Sequence, residues 1–168
     1  MMYDPQLIQP MRDELTELGA EELLTAEAVD QWIEGTEGTG LLVFNSVCGC
    51  AAGMARPGLR LALEHATRPE RIATVFAGQD REATARAREH MSQFPPSSPS
   101  MALFRGGKVA DYLPRGRIEG RTAEEVAADL VAMFERHCAP GGPGTALGKA
   151  TGAGTAPEAR GKADRGIS

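Results

Sequence analysis

Two short apolar runs constrain the fold of this 168-residue chain more than any other feature. Residues 41–47 (LLVFNSV) and 72–77 (IATVFA) are nearly continuous in apolar, β-forming side chains. Such runs are typical of strands that are buried on both faces, as in a parallel sheet. Residues 48–71 between them are long enough for the helical crossover that parallel strands require. The two runs therefore predict one βαβ unit.

Two helices are predicted before the first strand. Apolar residues recur at helical spacing from Leu7 to Leu18, and Gly19 ends that segment. Thr25 can cap a second helix that continues to Gly35. These helices precede the βαβ unit and are additional to it.

The residues after the second strand predict a second crossover helix. Asp80 can cap a helix that carries Ala83, Ala87 and Met91 on one side. The proline-rich residues 95–99 prevent that helix from continuing, because proline lacks the amide that a helix interior needs.

The next segment predicts antiparallel pairing and a final helix. Residues 101–105 and 108–113 read as strands, and the two glycines at 106–107 suit a hairpin turn, which favours positive φ. Thr122 and Glu125 have the spacing of a capping box ahead of the last apolar helix.

The resulting order, β, α, β, α, β, β, α, is that of a thioredoxin-like α/β fold with a mixed four-stranded sheet. The last helix is expected to close this domain at residues 1–138. Residues 139–168 contain 8 Gly, 7 Ala and 3 Pro, and they hold too few large apolar side chains to offset the entropy of ordering. We expect them to form a disordered tail.

Charge and composition argue against a nucleic-acid partner. The chain has a net charge of −5, and the tail has four basic and two acidic side chains, so residues 1–138 carry −7. Only eight aromatic residues are present. A surface that tracks phosphates and stacks on bases needs the opposite balance.

The N-terminal residues lack the apolar core of a secretory signal, so a cytoplasmic location is expected. The longest aliphatic and aromatic run, residues 41–44, is far shorter than the roughly 20 residues of a membrane span. Three cysteines are too few for a secreted disulfide framework. Reactive or metal-binding thiols therefore have to be considered.

Cys48 and Cys50 directly follow the first buried strand and precede its crossover helix. The carboxyl ends of strands in open α/β sheets are where ligands bind. A helix N-terminus stabilises a thiolate, which is the species that attacks disulfides. Because no Lys, Arg or His lies within five residues of Cys48, we expect the helix terminus to provide most of a lowered pKa there.

The single residue between the cysteines restricts how they can form a disulfide. Positions i and i+2 lie about 200° apart around a helix, so an intact bridge needs a non-helical turn. Gly49 makes such a turn possible because it has access to both signs of φ. A strained bridge of this kind is labile, and lability suits thiol exchange better than structural cross-linking.

Three other interpretations of the cysteines stay open. Both could be buried core residues, or they could form a regulatory bridge in a redox-sensing interaction module. They could also carry zinc or Cu(I), with further ligands drawn from the remaining thiol and the imidazoles. Those candidate ligands, which we otherwise regard as incidental, are Cys138, His65, His90 and His137.

Pro99 provides a second indication of function. In thioredoxin-like proteins a cis proline precedes the third strand and faces the redox cysteines. Ser98 and Pro99 lie directly before the third predicted strand. A cis Ser98–Pro99 bond is therefore expected, against the alternative of an ordinary trans loop proline.

Four sequence blocks resemble the bacilliredoxins, a family of thioredoxin-like proteins from bacteria that use bacillithiol as their low-molecular-weight thiol. The first block, NSVCGCAAG followed by ARP within residues 45–57, holds both cysteines. The other blocks are residues 75–84 (VFAGQD and EAT), 96–100 (PSSPS) and 118–121 (IEGR). The similarity in helix pattern extends over residues 3–137, and the tail lies outside it.

The resemblance implies a thiol-disulfide oxidoreductase that acts on bacillithiolated or disulfide-containing cytosolic proteins. Cys48 would take the bacillithiol as a mixed disulfide, and Cys50 or a second bacillithiol would resolve it. Bacillithiol would be a co-substrate, with no resident cofactor, and weak disulfide isomerase or reductase activity is also implied. Glutathione, coenzyme A or a protein disulfide is the alternative substrate in a host without bacillithiol.

Four residues near the cysteines are candidates for supporting roles. Asn45 and Ser46 would form hydrogen bonds to the loop that contains Cys48 and Cys50. Equally, they would form the turn that ends the strand. Arg56 would pair with a carboxylate of bacillithiol's malate group, against the alternative of a solvated surface arginine. Pro57 either kinks the crossover helix or begins its regular part.

Overall fold

The computed structural model describes residues 2–139, which contain five α-helices and five strands. A π-helical turn, Ala51–Ala55, and a 3₁₀ turn, Arg115–Arg117, complete the regular structure of this region. In chain order the helices and strands are α1 Pro5–Thr16, β1 Glu21–Glu22, α2 Ala26–Gly35, β2 Thr39–Asn45, α3 Arg56–Ala62, β3 Arg71–Phe76, α4 Arg81–Glu89, β4 Ser100–Arg105, β5 Lys108–Leu113 and α5 Ala123–His137.

The strands form one mixed sheet in the order β1-β3-β2-β4-β5. The two apolar runs pair in parallel as β2 and β3, and β4 and β5 form the expected antiparallel hairpin against β2. The thioredoxin-like α/β arrangement with additional N-terminal helices is therefore confirmed. The central strand β2 is buried along its whole length, because it has a neighbour on each edge and helices on each face.

The predicted number of four strands is wrong, because β1 adds a fifth strand at the edge of the sheet. Glu21 and Glu22 pair with β3 in parallel. Two acidic residues have none of the apolar pattern that marks a buried strand, and the pairing depends on backbone groups that every residue carries. Side-chain patterns therefore could not reveal it.

Alternate side chains of β2 enter two cores on opposite faces of the sheet. Leu41 and Val43 lie in the core shared with α1, α3 and α5, whereas Leu42 and Phe44 lie in the core shared with α2 and α4. Burying one such side chain contributes about 1.5–3 kcal/mol. The two-sided burial fixes the position of the carboxyl end of β2, from which the cysteine loop leaves.

Two of the three predicted helix caps are present. The Thr25 hydroxyl accepts from the Ala28 amide, and Thr122 and Glu125 form a reciprocal capping box. Asp80 precedes α4 but its carboxylate accepts no helix amide, so the prediction that it caps by its side chain is wrong. Its oxygens instead accept from the Phe76 amide and from the Arg12 guanidinium, which ties α1 to the end of β3.

The sequence predicts no membrane-spanning helix and a disordered C-terminal tail. Across residues 2–139, none of the helices combines the length and the apolar character needed to cross a bilayer. The tail predicted for residues 139–168 lies, apart from Ala139, outside the described residues.

Candidate active site

The cysteine loop begins where β2 ends, at the edge formed by the carboxyl ends of β2 and β3. Strand pairing stops at Asn45, whose side-chain oxygen accepts from the Ser46 amide at 2.9 Å. Ser46 and Val47 therefore lie outside the strand, although the apolar run predicted them inside it. The two residues form the short link that brings Cys48 to the start of the helix.

The helical segment after the loop starts with an unusual turn. The Cys48 carbonyl accepts from the amides of Ala51 and Ala52, and the Arg56 amide donates to the Ala51 carbonyl in a π-helical pattern. Regular α-helix begins at Arg56, and Pro57 is its second residue. Proline is tolerated there because the first amides of a helix need no partner within it. Pro57 thus begins the regular part of the crossover helix.

Gly49 and Cys50 already have helical conformation, and all three cysteines are free thiols. Gly49 is not among the glycines with positive φ, and a Cβ added to it would contact nothing within 4 Å. The dithiol form of the loop therefore makes no demand for glycine at this position. The predicted non-helical turn is a requirement of the bridged form.

Cys48 is half-buried, and its surroundings favour the thiolate. Burial of its sulfur raises the pKa, but hydrogen bonds from the Ser46 hydroxyl, the Ala51 and Cys50 amides, and the Cys50 thiol outweigh that cost and lower the pKa overall. The lowered pKa agrees with the expectation from sequence. The Ser46 hydroxyl gives the largest single favourable contribution, and the Ala51 and Cys50 amides at the start of the helix follow it.

Cys50 has the opposite tendency. Burial raises its pKa, and the neighbouring Cys48 thiolate raises it further, while the Arg115 guanidinium opposes both effects. The Arg115 Nη2 atom lies 3.7 Å from the Cys50 sulfur. The two thiols are therefore unequal, since the pKa of Cys48 is lowered and that of Cys50 is raised.

Arg56 and Asn45 do not have the substrate-binding positions expected of them. Their exposed fractions are only 3% and 1%. The Arg56 guanidinium donates to Glu14 Oε1 at 2.8 Å, to Asn45 Oδ1 at 2.8 Å and to the Ser46 carbonyl at 3.1 Å. Asn45 Nδ2 donates to the Met11 carbonyl. Both residues hold the cysteine loop from inside the protein. Arg56 is therefore not a solvated surface arginine, and its guanidinium is not exposed for a contact with the malate group.

Ser46 connects this buried network to the reactive sulfur. Its hydroxyl accepts from the Cys48 amide at 3.2 Å and also supports the Cys48 sulfur. The two alternatives for Asn45 and Ser46 prove to be complementary: Asn45 ends the strand and Ser46 hydrogen-bonds the loop. Sequence proximity alone could not divide these roles.

The Ser98–Pro99 peptide bond is cis, as the topology predicts. Ser100, at the start of β4, pairs with Phe44 near the end of β2, so the proline loop lies at the same edge of the sheet as the cysteines. The loop is anchored at Ser97, whose hydroxyl contacts the Tyr112 hydroxyl and accepts from the Arg115 amide.

The candidate metal ligands are dispersed. Within the region that the structure describes, no three His, Cys, Asp or Glu side chains are grouped as a metal site. His65, His90 and His137 each contact a carboxylate, of Glu135, Asp30 and Asp111 respectively. Cys138 is buried, with its pKa raised by burial, and it contacts Thr39 at the opposite end of β2 from Cys48.

Arg115 is the site residue that sequence reasoning missed. It follows β5, which runs antiparallel to β4 and ends at the edge of the sheet where the cysteine loop begins. A cation placed directly after the last strand of the hairpin is therefore expected beside the loop. That signal was present in the predicted topology, although Arg115 lies outside the four blocks that resemble the bacilliredoxins.

Comparison with known proteins agrees with the fold. Thioredoxin from Fasciola hepatica superposes with a TM-score of 0.50 at 22% identity, covering 70% of this chain and 98% of that one. A family model described as disulphide isomerase matches residues 3–138. A bacilliredoxin of Koribacter versatilis is 53% identical over 137 residues, covering 82% of this chain and 94% of the relative. One of Halalkalibacterium halodurans is 52% identical over 136 residues, covering 81% and 94%.

The fold and the relatives together define a thioredoxin-like thiol oxidoreductase. Identity above one half over more than four-fifths of the chain narrows this class to one family. The chain belongs to the bacilliredoxin family.

Proposed function

We propose that this protein removes bacillithiol from S-bacillithiolated proteins in the cytoplasm, with Cys48 as the attacking thiolate and Cys50 as the resolving thiol. The observation that carries the proposal is the environment of Cys48, a half-buried sulfur beside a second thiol. Burial raises the pKa of Cys48, but the Ser46 hydroxyl, the Ala51 and Cys50 amides and the Cys50 thiol lower it overall. The bacilliredoxin relatives support bacillithiol as the transferred thiol.

In the first step, the Cys48 thiolate attacks the bacillithiol sulfur of the mixed disulfide on the substrate protein. A new bond forms between Cys48 Sγ and that sulfur, and the bond to the substrate cysteine breaks. The substrate cysteine leaves as a thiolate, which takes a proton from solvent. Thiolates are the nucleophiles of such exchanges, so the lowered pKa of Cys48 raises the reactive fraction near neutral pH.

Two routes then release bacillithiol from Cys48. In one, the Cys50 thiolate attacks Cys48 Sγ, the Cys48–Cys50 bridge forms and bacillithiol leaves as its thiolate. In the other, a second bacillithiol attacks the bound bacillithiol sulfur, and bacillithiol disulfide leaves while Cys48 is regenerated. The bridged form requires an external reductant, whereas the second route returns the dithiol directly.

Gly49, Ser98 and Pro99 complete the proposal. Gly49 leaves space beside Cys48 and permits the backbone change that a bridge needs. Ser98 and Pro99 would contact the incoming disulfide across the cysteine loop. Weak isomerase or reductase activity on protein disulfides would follow from the same chemistry, in agreement with the description of the matched family.

The test is intact-mass analysis after each protein is mixed with a bacillithiolated model protein. We expect Cys50→Ser to accumulate a bacillithiol adduct, because it can attack but cannot resolve through a bridge. Cys48→Ser should neither take up bacillithiol nor release it from the model protein. Cys138→Ser is the matched control, because its thiol is buried at the other end of β2 and should not affect transfer.

The result distinguishes the attacking residue from the substrate. Adduct on Cys48→Ser at the rate of wild type would remove Cys48 from the attacking role. Absence of bacillithiol uptake by every variant, with glutathione or coenzyme A accepted in parallel reactions, would assign the site to a different thiol.

A further inference from the structure

Arg115 brings a positive charge to the second sulfur of the pair. The residue lies in the 3₁₀ turn after β5, and its Nη2 atom is 3.7 Å from Cys50 Sγ. Such a distance allows an N–H group to interact with sulfur. The guanidinium remains charged at all pH values at which the protein is folded. Cys50 is thus in direct contact with a permanent cation.

Two further contacts hold the guanidinium in place, and a third holds the backbone of Arg115. Nη1 donates to the Ser98 carbonyl at 3.0 Å, and Nη2 also contacts Glu119 Oε2 at 3.3 Å. The backbone amide of Arg115 donates to the Ser97 hydroxyl at 3.2 Å. The head group is therefore oriented between the proline loop and the cysteine loop, although 37% of its side chain is exposed.

The charges around Cys50 change during turnover. Burial raises the Cys50 pKa, the Cys48 thiolate and the Glu119 carboxylate raise it as well, and Arg115 lowers it. When Cys48 carries a mixed disulfide, its negative charge and its acceptor for the Cys50 proton are both lost. Arg115 then remains as the group that favours the Cys50 thiolate, against burial and Glu119.

We propose that Arg115 is a catalytic residue of the resolving step, in which its guanidinium stabilises the Cys50 thiolate once Cys48 is capped. This inference rests on the part of the proposed function that makes Cys50 the resolving thiol. Before capping, the Cys48 thiolate keeps Cys50 protonated and available as a hydrogen-bond donor. After capping, the same arginine makes Cys50 the nucleophile, so the two sulfurs become reactive in sequence.

The step balances without a further reactant. The Cys50 thiol loses its proton to solvent, and the Cys50 sulfur forms a bond with Cys48 Sγ. The bond from Cys48 Sγ to the bound thiol's sulfur breaks, and that sulfur leaves as a thiolate and is protonated. The two cysteines are oxidised to a bridge and the departing thiol is reduced.

Stopped-flow absorbance with dithiodipyridine separates the two steps, because this neutral chromogenic disulfide releases one thiopyridone at each. All proteins carry Cys138→Ser, and one probe molecule is supplied per protein. The first release reports attack by Cys48 and the second reports attack by Cys50. In Arg115→Gln we expect the second release to slow about tenfold near neutral pH, with its pH midpoint about one unit higher. The first release should slow less than the second, because the arginine also acts on the Cys48 thiolate but its N–H contact is with Cys50.

Two variants separate charge from anchoring. Arg115→Lys keeps a positive charge, so its second release should fall between those of wild type and Arg115→Gln. Arg117→Gln is the matched control, since this neighbouring arginine pairs with Asp129, away from the cysteines. It should leave both releases unchanged.

Several outcomes would overturn the inference. An unchanged second release in Arg115→Gln removes the arginine from the chemistry, and equal slowing of both releases assigns it to holding the loops. A single release from the protein with both site cysteines would mean that Cys50 does not resolve, and the inference would fall with that role. Two normal releases together with no uptake of bacillithiol would reject only the proposed substrate.

Discussion

Cys48 and Cys50 are separated by one residue, yet different regions of the chain determine their acidity. Cys48 is surrounded by its own loop, through the Ser46 hydroxyl and the first amides of the helix, and that loop is held from beneath by Arg56. Cys50 faces Arg115, which lies 65 residues further along the chain. The difference shows that the groups that lower the pKa of the attacking sulfur are mainly local, whereas the group that lowers the pKa of the resolving sulfur comes from a distant part of the chain.

The largest effect is expected from removing the buried support of the Cys48 side. Arg56→Met deletes three hydrogen bonds and leaves the Ser46 carbonyl without its guanidinium partner, so we expect a loss of about 3 kcal/mol in the free energy of unfolding. Denaturant unfolding measures this loss. The exposed Arg60→Met on the same helix is the control and should stay within about 0.5 kcal/mol of wild type.

The same variant also tests the comparison between the two sulfurs. In the folded Arg56→Met protein, loosening of the Ser46 loop should slow the first thiopyridone release and leave the second at its wild-type rate. Slowing of the second release alone would contradict the assignment of Arg56 to the Cys48 side.

Ser46→Ala should have an intermediate effect, confined to Cys48. Burial of the sulfur raises the pKa of Cys48, and without the Ser46 hydroxyl less remains to oppose it, so we expect the pKa to rise by about one unit. The pH dependence of Cys48 alkylation, measured with Cys50 and Cys138 replaced by serine, gives this value. Ser92→Ala, an exposed serine outside the site, is the control. If the pKa of Cys48 does not change, the stabilisation of the thiolate has to be assigned to the backbone amides instead of the Ser46 hydroxyl.

Gly49→Ala should have the smallest effect on stability and a specific effect on the bridge. The position is helical and open, so alanine should stabilise the dithiol protein by about 0.5–1 kcal/mol. Because the bridge needs a non-helical turn, the equilibrium between the bridged and dithiol forms should move about two- to fivefold toward the dithiol. Equilibration with a reference dithiol measures this ratio.

Gly53→Ala separates the two effects. Gly53 is also open, but it lies beyond the cysteines in the π-helical turn, so alanine there should leave the bridge equilibrium unchanged. Equal shifts in the two variants would mean that helix stability, rather than the turn between the cysteines, controls bridge formation.

The sequence predicts those parts of the molecule whose side chains carry a pattern. The buried runs that form β2 and β3 are apolar because both faces are covered, and the capping box of α5 depends on side chains at fixed spacing. The cysteines and the cis Pro99 follow from where these elements end. In each case local chemistry and the tertiary fold make the same demand.

The remaining features depend on partners that are distant in sequence. Arg56 has the sequence neighbourhood of a surface arginine, and only the docking of α1 brings Glu14 to cover it. The side chain of Asp80 is diverted from its helix by Arg12, also on α1. Local propensity gives Asp80 a capping role, but a bidentate pair with an arginine outweighs a single hydrogen bond from a helix amide.

The π-helical turn between the cysteines and α3 has a consequence for protein engineering. Ala51 and Ala55 are buried at its two ends, while Ala52 and Gly53 face solvent. The composition of the turn can therefore vary on its outer side, but we expect its length to be fixed, because the turn separates the cysteines from Arg56, whose guanidinium reaches back to Asn45 and the Ser46 carbonyl. To graft this dithiol onto another scaffold, the two cysteines, the complete turn Ala51–Ala55 and Arg56 have to be transferred together.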